Sequence, residues 1–111
     1  MKRPGCTLIG IVTAKAGKRE ELQGILVSFV APARAEEGCV SYDLRCAADN
    51  PDVFVFYECF INRAALDRHS RQPYLNLLKS RAAELLAKPI EVRFLSMLSE
   101  RADAADGDQA L

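Results

Sequence analysis

Hydrophobic positions along the chain repeat with two different periods, and each change of period marks a new element. Thr7-Leu8-Ile9-Gly10-Ile11-Val12-Thr13-Ala14 is short, rich in β-branched residues and apolar on both parities, which predicts a strand covered on both faces and stopped at Ala16-Gly17. From Lys18 the period lengthens. Leu22, Ile25, Leu26, Phe29, Val30 and Ala33 make one helical stripe, with Lys18, Arg19, Glu20 and Glu21 starting it in solvent. Pro32 lacks an N–H and clashes with the preceding turn, so a kink or restart is expected there, and Gly38, able to adopt positive φ, closes the segment after Glu36-Glu37. Cys39 to Arg45 then alternates Val40, Tyr42 and Leu44 against Ser41, Asp43 and Arg45. Asn50-Pro51-Asp52 supplies turn chemistry before Val53 to Phe60, and the two runs form a hairpin. Asn62 is placed to cap a short helix reaching about Ser70. Pro73 starts another, carrying Leu75, Leu78, Ala82, Leu85 and Leu86 and ended by Lys88-Pro89. A last strand runs from Ile90 to Leu98.

The order is strand, helix, strand, strand, helix pair, strand. With right-handed crossovers it predicts an α+β fold of the ferredoxin-like βαββααβ type, a four-stranded antiparallel sheet with its helices on one face. Residues 1–98 form the domain, and 99–111, with no large apolar side chain before Leu111, are expected to be a disordered polar tail. The strands are apolar on both faces: Leu8 and Val12 against Ile9 and Ile11, Phe54 and Phe56 against Val53 and Val55. A bare sheet face of that composition is costly in water, so a homodimer with stacked sheets is expected.

Composition narrows the partners. The 111 residues carry 15 Lys+Arg against 15 Asp+Glu, interleaved, which argues against nucleic acid. Without residues 99–111 the balance is 14 bases to 11 acids, mildly positive and better suited to small anions. No apolar run is long enough to span a bilayer and the first residues do not read as a secretory signal, so a cytoplasmic protein with no membrane partner is expected. Cys6, Cys39, Cys46 and Cys59 lack metal-ligand spacing and are read as buried, reduced thiols, with no metal site. Phosphate-binding and nucleotide motifs are absent, and no cofactor is expected.

Glu37-Gly38-Cys39 entering a strand with Tyr42, Tyr57-Glu58-x-Phe60 ending the hairpin, Ala64-Ala65-Leu66-Asp67-x-His69 and x-Pro73-Tyr74 together resemble the antibiotic biosynthesis monooxygenase domain from about Thr7 to Leu98. The resemblance implies a dimeric α+β barrel. It also implies oxygenation of quinols or polyketide aromatics without metal or flavin, although one relative isomerises a phosphorylated autoinducer and others degrade haem.

His69 is the one side chain with an ordinary pKa near neutrality, and three residues after Leu66 it falls toward the packed side of its helix, where it suits proton transfer. A helix-terminal histidine capping carbonyls is the plainer alternative. Glu58, in an apolar run, is a candidate base whose pKa burial would raise, or else a structural carboxylate. If Cys46 pairs with Val53, Glu58 lies opposite Ser41, and Tyr42 opposite Tyr57, two phenols able to stack on a planar substrate. Phe60 and Tyr74, from the same motifs, complete the candidate substrate-binding set. The expected activity is cofactor-independent monooxygenation of a quinol-like or polyphenolic small molecule. The alternatives are isomerisation of a small phosphorylated dione, with Arg71, Lys79 and Arg81 as phosphate ligands, and a non-catalytic binding dimer.

Overall fold

The computed structural model describes residues 2–100, so the segment expected to be a disordered tail lies, from residue 101 onward, outside the described residues. The four strands are β1 (Cys6–Thr13), β2 (Cys39–Ala47), β3 (Asn50–Phe60) and β4 (Glu91–Leu95), and the helices α1 (Arg19–Ser28), α2 (Val30–Arg34), α3 (Arg63–Ser70) and α4 (Asn76–Leu85). The strands form one antiparallel sheet in the order β2-β3-β1-β4, the expected topology. Helices pack on one face through Leu22, Ile25, Leu26, Phe29, Leu66, Leu78 and Leu85, which meet Leu8, Val12, Phe54, Phe56 and Phe60 of the sheet in a single core.

Local chemistry accounts for most boundaries. Pro32 cannot follow Ser28 in a continuous helix, because its ring collides with the carbonyl four residues back. The break accordingly falls one turn upstream of the proline, at Phe29, and Pro32 sits inside α2. Asn62 caps α3 by accepting from the Ala65 amide at 2.9 Å. Pro73 opens a 3₁₀ turn, Pro73–Leu75, that leads into α4. Gly17, not Gly38, holds the positive φ, at 80°. Gly38 is needed for a different reason: a Cβ there would collide with the Cβ of Ala65 on α3.

Three expectations need correction. Asn50-Pro51-Asp52 is not the hairpin turn but the start of β3, where the Asn50 carboxamide accepts from the Asp52 amide and the turn itself is Ala48-Asp49. The last strand is shorter than expected, ending at Leu95, and Met97 and Leu98 beyond it are exposed. Cys46 is exposed at the end of the hairpin, unlike Cys39 and Cys59.

The hairpin register also differs. Register shifts at both ends of the ladder, between Cys46 and Ala47 beside the turn and between Cys39 and Ser41, leave Tyr42 paired with Glu58 and Cys46 with Phe54. One residue of slip exchanges the faces of a strand. Tyr42, Leu44, Phe54, Phe56, Glu58 and Phe60 therefore share the helix face, while Asp43, Arg45, Val53, Val55 and Tyr57 look the other way with Ile9 and Ile11 of β1. Among the described residues no helix covers that second face, where Ile9, Ile11, Val53, Val55 and Tyr57 are half-buried.

The Gly38–Ala65 approach is a packing constraint with a measurable cost. Gly38→Ala should destabilise the fold by about 1–3 kcal/mol through overpacking. In an Ala65→Gly background the same substitution should cost less, and chemical denaturation of the four variants of the cycle reads that coupling.

Candidate functional site

A cavity of about 520 Å³ lies between the sheet and helices α3 and α4. Its floor comes from the sheet: Leu8, Gly10 and Val12 of β1, Tyr42 of β2, Phe56 and Glu58 of β3, Val92 and Phe94 of β4. Gly10 is part of this floor. A Cβ there would have Glu58 Oε2 at 3.9 Å and Phe56 Cβ at 4.0 Å as nearest neighbours, so the missing side chain leaves room above the sheet instead of relieving a clash.

Arg63, Asp67, Ser70 and Lys79 of α3 and α4 also line the cavity, and its two buried polar side chains are Glu58 at 8% exposure and His69 at 5%. Glu58 reaches the cavity because β3 alternates Phe56, Glu58 and Phe60 on this face. His69 reaches it from the last turn of α3, three and four residues after the buried Leu66 and Ala65. His69 Nε2 stands 3.8 Å from Glu58 Oε1, too far for a direct hydrogen bond and close enough for both to meet one substrate atom.

The other edge of the imidazole is fixed by Glu36, a residue the sequence reading passed over. Glu36 lies just after α2, and its Oε2 is 2.9 Å from His69 Nδ1 while accepting the Tyr74 hydroxyl at 2.6 Å. A carboxylate that accepts both bonds selects the Nδ1–H tautomer, so the Nε2 lone pair points toward Glu58. The ring is packed among aromatics, with centroids at 5.3 Å from Tyr42, 5.1 Å from Phe60 and 6.2 Å from Tyr74. His69 therefore does not cap backbone carbonyls. The only cue in the sequence is indirect: a lone histidine on a buried helix face needs a polar partner, and Glu36-Glu37 sits beside the glycine that lets α3 approach.

Burial, and then the nearby Glu36, pushes the Glu58 carboxyl up to about 7. Burial followed by Glu58 raises the Tyr42 phenol, and burial followed by the bond to Glu36 raises that of Tyr74, so both stay hydrogen-bond donors. Among the described residues no three His, Cys, Asp or Glu side chains converge as a metal-ligand group.

The remaining candidates separate by position. Tyr42 lines the cavity. Phe60, fully buried, and Tyr74 stand behind the imidazole as its packing and hydrogen-bonding support. Tyr57 pairs with Asp43 and Ile9 on the opposite sheet face, so it neither faces Tyr42 nor reaches the cavity. Of the cations considered for a phosphate, Arg71 is exposed and Arg81 is held by Glu21 and Glu84, which leaves Lys79 on the cavity wall.

A family model described as antibiotic biosynthesis monooxygenase matches residues 6–78. The Synechocystis protein sll1783, named as uncharacterized, is 37% identical over 76% of this chain, which spans 57% of that protein's length. "Putative monooxygenase Rv0793" of Mycobacterium tuberculosis is 38% identical over 74% of this chain and 80% of its own. The solved structure of Rv0793 superposes with a TM-score of 0.79, covering 87% of this chain and 98% of that one at 33% identity. PA3566 from Pseudomonas aeruginosa superposes at 0.82 over 89% of this chain and 99% of its own, at 31% identity.

Glu58 gives this site a pH signature in stability. Its carboxyl is raised from 4.5 to about 7 in the folded protein, so folding favours its protonated form. That contribution is complete below pH 4.5, and is lost as pH rises through about 7. Glu58→Gln, which cannot ionise, should match the parent near pH 4 and exceed it by up to roughly 3 kcal/mol above pH 8, read by denaturant unfolding across pH.

Proposed function

The chain belongs to the antibiotic biosynthesis monooxygenase family, and from that premise we propose that it oxygenates a quinol-like or polyphenolic small molecule by drawing a proton from it in the His69–Glu58 cavity. One observation carries the reading: a buried carboxyl with its pKa pushed up to about 7 faces the free edge of a tautomer-fixed imidazole across an apolar cavity.

A phenol or enol is a weak acid, and its anion is electron-rich enough to react with O₂. The protein's tasks are to take the proton and to keep water from the anion. Glu58, poised near neutrality, accepts the hydroxyl proton of the bound substrate, where acid and base strengths are best matched. The proton can pass to His69 Nε2, and the imidazolium so formed is held against the Glu36 carboxylate. Tyr42 donates toward the developing oxyanion, and Phe56, Val92 and Phe94 pack the ring. With a quinol the balance closes on the substrate's own electrons: one oxygen atom enters the ring as a hydroxyl, the other leaves as water, and the product is a hydroxyquinone. A base, an apolar cavity and O₂ meet that balance, so the reading calls for no cofactor.

A second copy of the chain is the partner of the uncovered sheet face, with Tyr57 assigned to subunit contact. The half-buried Ile9, Ile11, Val53, Val55 and Tyr57 support this, since their apolar area gains most from a like surface.

Oxygen consumption against a panel of quinols, including naphthoquinols and catechols, tests the activity. Turnover should rise with pH through an apparent pKa near 7, the value to which Glu58 is raised. Glu58→Gln should lower kcat by about 10²–10⁴ and remove that limb. His69→Ala should fall in the same range, and unchanged turnover in it would take the imidazole out of the mechanism. Solvent-deuterium incorporation into a substrate without O₂ uptake would instead favour the isomerase reading.

Light scattering on a size-exclusion column should give about twice the 12.2 kDa chain mass, and Ile11→Glu should return the monomer. A parent protein that elutes as a monomer at high micromolar concentration would overturn the stacked-sheet assignment.

A further inference from the structure

The cavity continues beyond the acid–base pair. A second cavity of about 300 Å³ adjoins it and shares Phe29, Leu75, Leu78, Lys79 and Ile90 as common walls. From there it follows α4 past Ala82 to Leu86 and Pro89. Leu78 and Ala82 are spaced by four residues in one row along α4, advancing about 6 Å, and Leu86 follows at the C-terminal cap. Lys79 is the one charged residue in this arm, and its ammonium donates outward to the Ser70 carbonyl at 3.3 Å, leaving its methylene stem on the wall. The two adjoining spaces are therefore chemically unlike. All the proton-handling groups, Glu58 and His69, stand at one end, and the other end offers hydrocarbon with half-exposed Ile90 near its mouth.

We infer that the ligand is amphiphilic: an acidic hydroxylated ring at Glu58 and His69, and an alkyl or isoprenoid tail of several carbons lying along α4. The inference rests on the head-group reading above and adds the tail. A tail is the occupant that fits, because the arm shares five wall residues with the reactive end and its one polar group, the Lys79 ammonium, is bonded to the Ser70 carbonyl. Ala82 sets the width of the throat, since it is the smallest side chain in the row between Leu78 and Leu86. Specificity for tailed over compact substrates follows from that one position.

The test uses binding, so that it stands apart from turnover. Anaerobic titration calorimetry with resorcinol and its methyl, propyl and pentyl derivatives gives Kd as a function of tail length. Kd should tighten about two- to four-fold per added methylene, the upper figure being complete transfer of a CH₂ from water. Ala82→Trp should abolish the gain from propyl to pentyl while leaving the Kd of resorcinol within about two-fold of the parent. Pro89→Glu, at an exposed position that lines the arm and not the acid–base cavity, should weaken the pentyl compound and spare resorcinol. A Kd independent of tail length overturns the inference, as does a tail dependence that survives both substitutions. If the tail dependence holds but no quinol consumes oxygen, the arm stands and only the oxygenase reading falls.

Discussion

The bond between Glu36 and His69 is the contact on which the arrangement of the helix face depends. It links the segment after α2 to the last turn of α3, and it can form only because Gly38 lets α3 come close enough for Ala65 to rest on the backbone beside Glu36. The Asn62 cap fixes where α3 begins, and hence the turn on which His69 lies. Once the imidazole is in place, Tyr42, Phe60 and Tyr74 close around it, and their packing leaves its Nε2 edge as the one directed toward Glu58. A small backbone accommodation thus sets the tautomer of a side chain in the cavity wall.

The same cluster explains why a cavity persists where a domain of this size would gain by closing it. Glu58 and His69 cannot be covered by hydrocarbon without losing solvation that they have not fully replaced, and Gly10 removes the side chain that could have filled the space above the sheet. The cost of this arrangement appears as the raised carboxyl of Glu58. Strain of this kind concentrates where chemistry is done. Elsewhere the chain follows ordinary rules, with its surface ion pairs of Arg81 with Glu21 and Glu84 joining α1 to α4 at the periphery.

Periodicity and caps made the element order legible, because each helix announced itself by a stripe and a cap or a proline, and each strand by apolar parity. The hairpin register was not legible. It turns on shifts at Cys46/Ala47 and Cys39/Ser41 whose size no residue type signals, and the resulting slip places Glu58 on the face of Tyr42 and not on that of Asp43 and Arg45. Glu58 and His69 could be singled out from their types and surroundings, and the structure places them on the same cavity. Glu36 could not be: nothing in Glu36-Glu37 distinguishes the half-buried carboxylate from the exposed one, and only the tertiary approach of α3 makes that choice.

Scaffold and chemistry also separate within this one chain. The residues that carry the family likeness include frame builders such as Gly38 and Phe60 together with Tyr42, Glu58, His69 and Tyr74 in or behind the cavity, and a frame of this kind is compatible with more than one reaction. A carboxyl near neutrality stands across from an imidazole whose proton is fixed on the far side, a pair that on the proposed reading suits weakly acidic hydroxyls, and Arg63 and Lys79 are the cations that line the same cavity. Since the polar end is fixed by three side chains on three different segments, while the apolar arm is set by single positions along α4, the arm is the part that can change in evolution without disturbing the chemistry. Substrate choice should therefore diverge among such proteins along α4 before it diverges at Glu58 and His69.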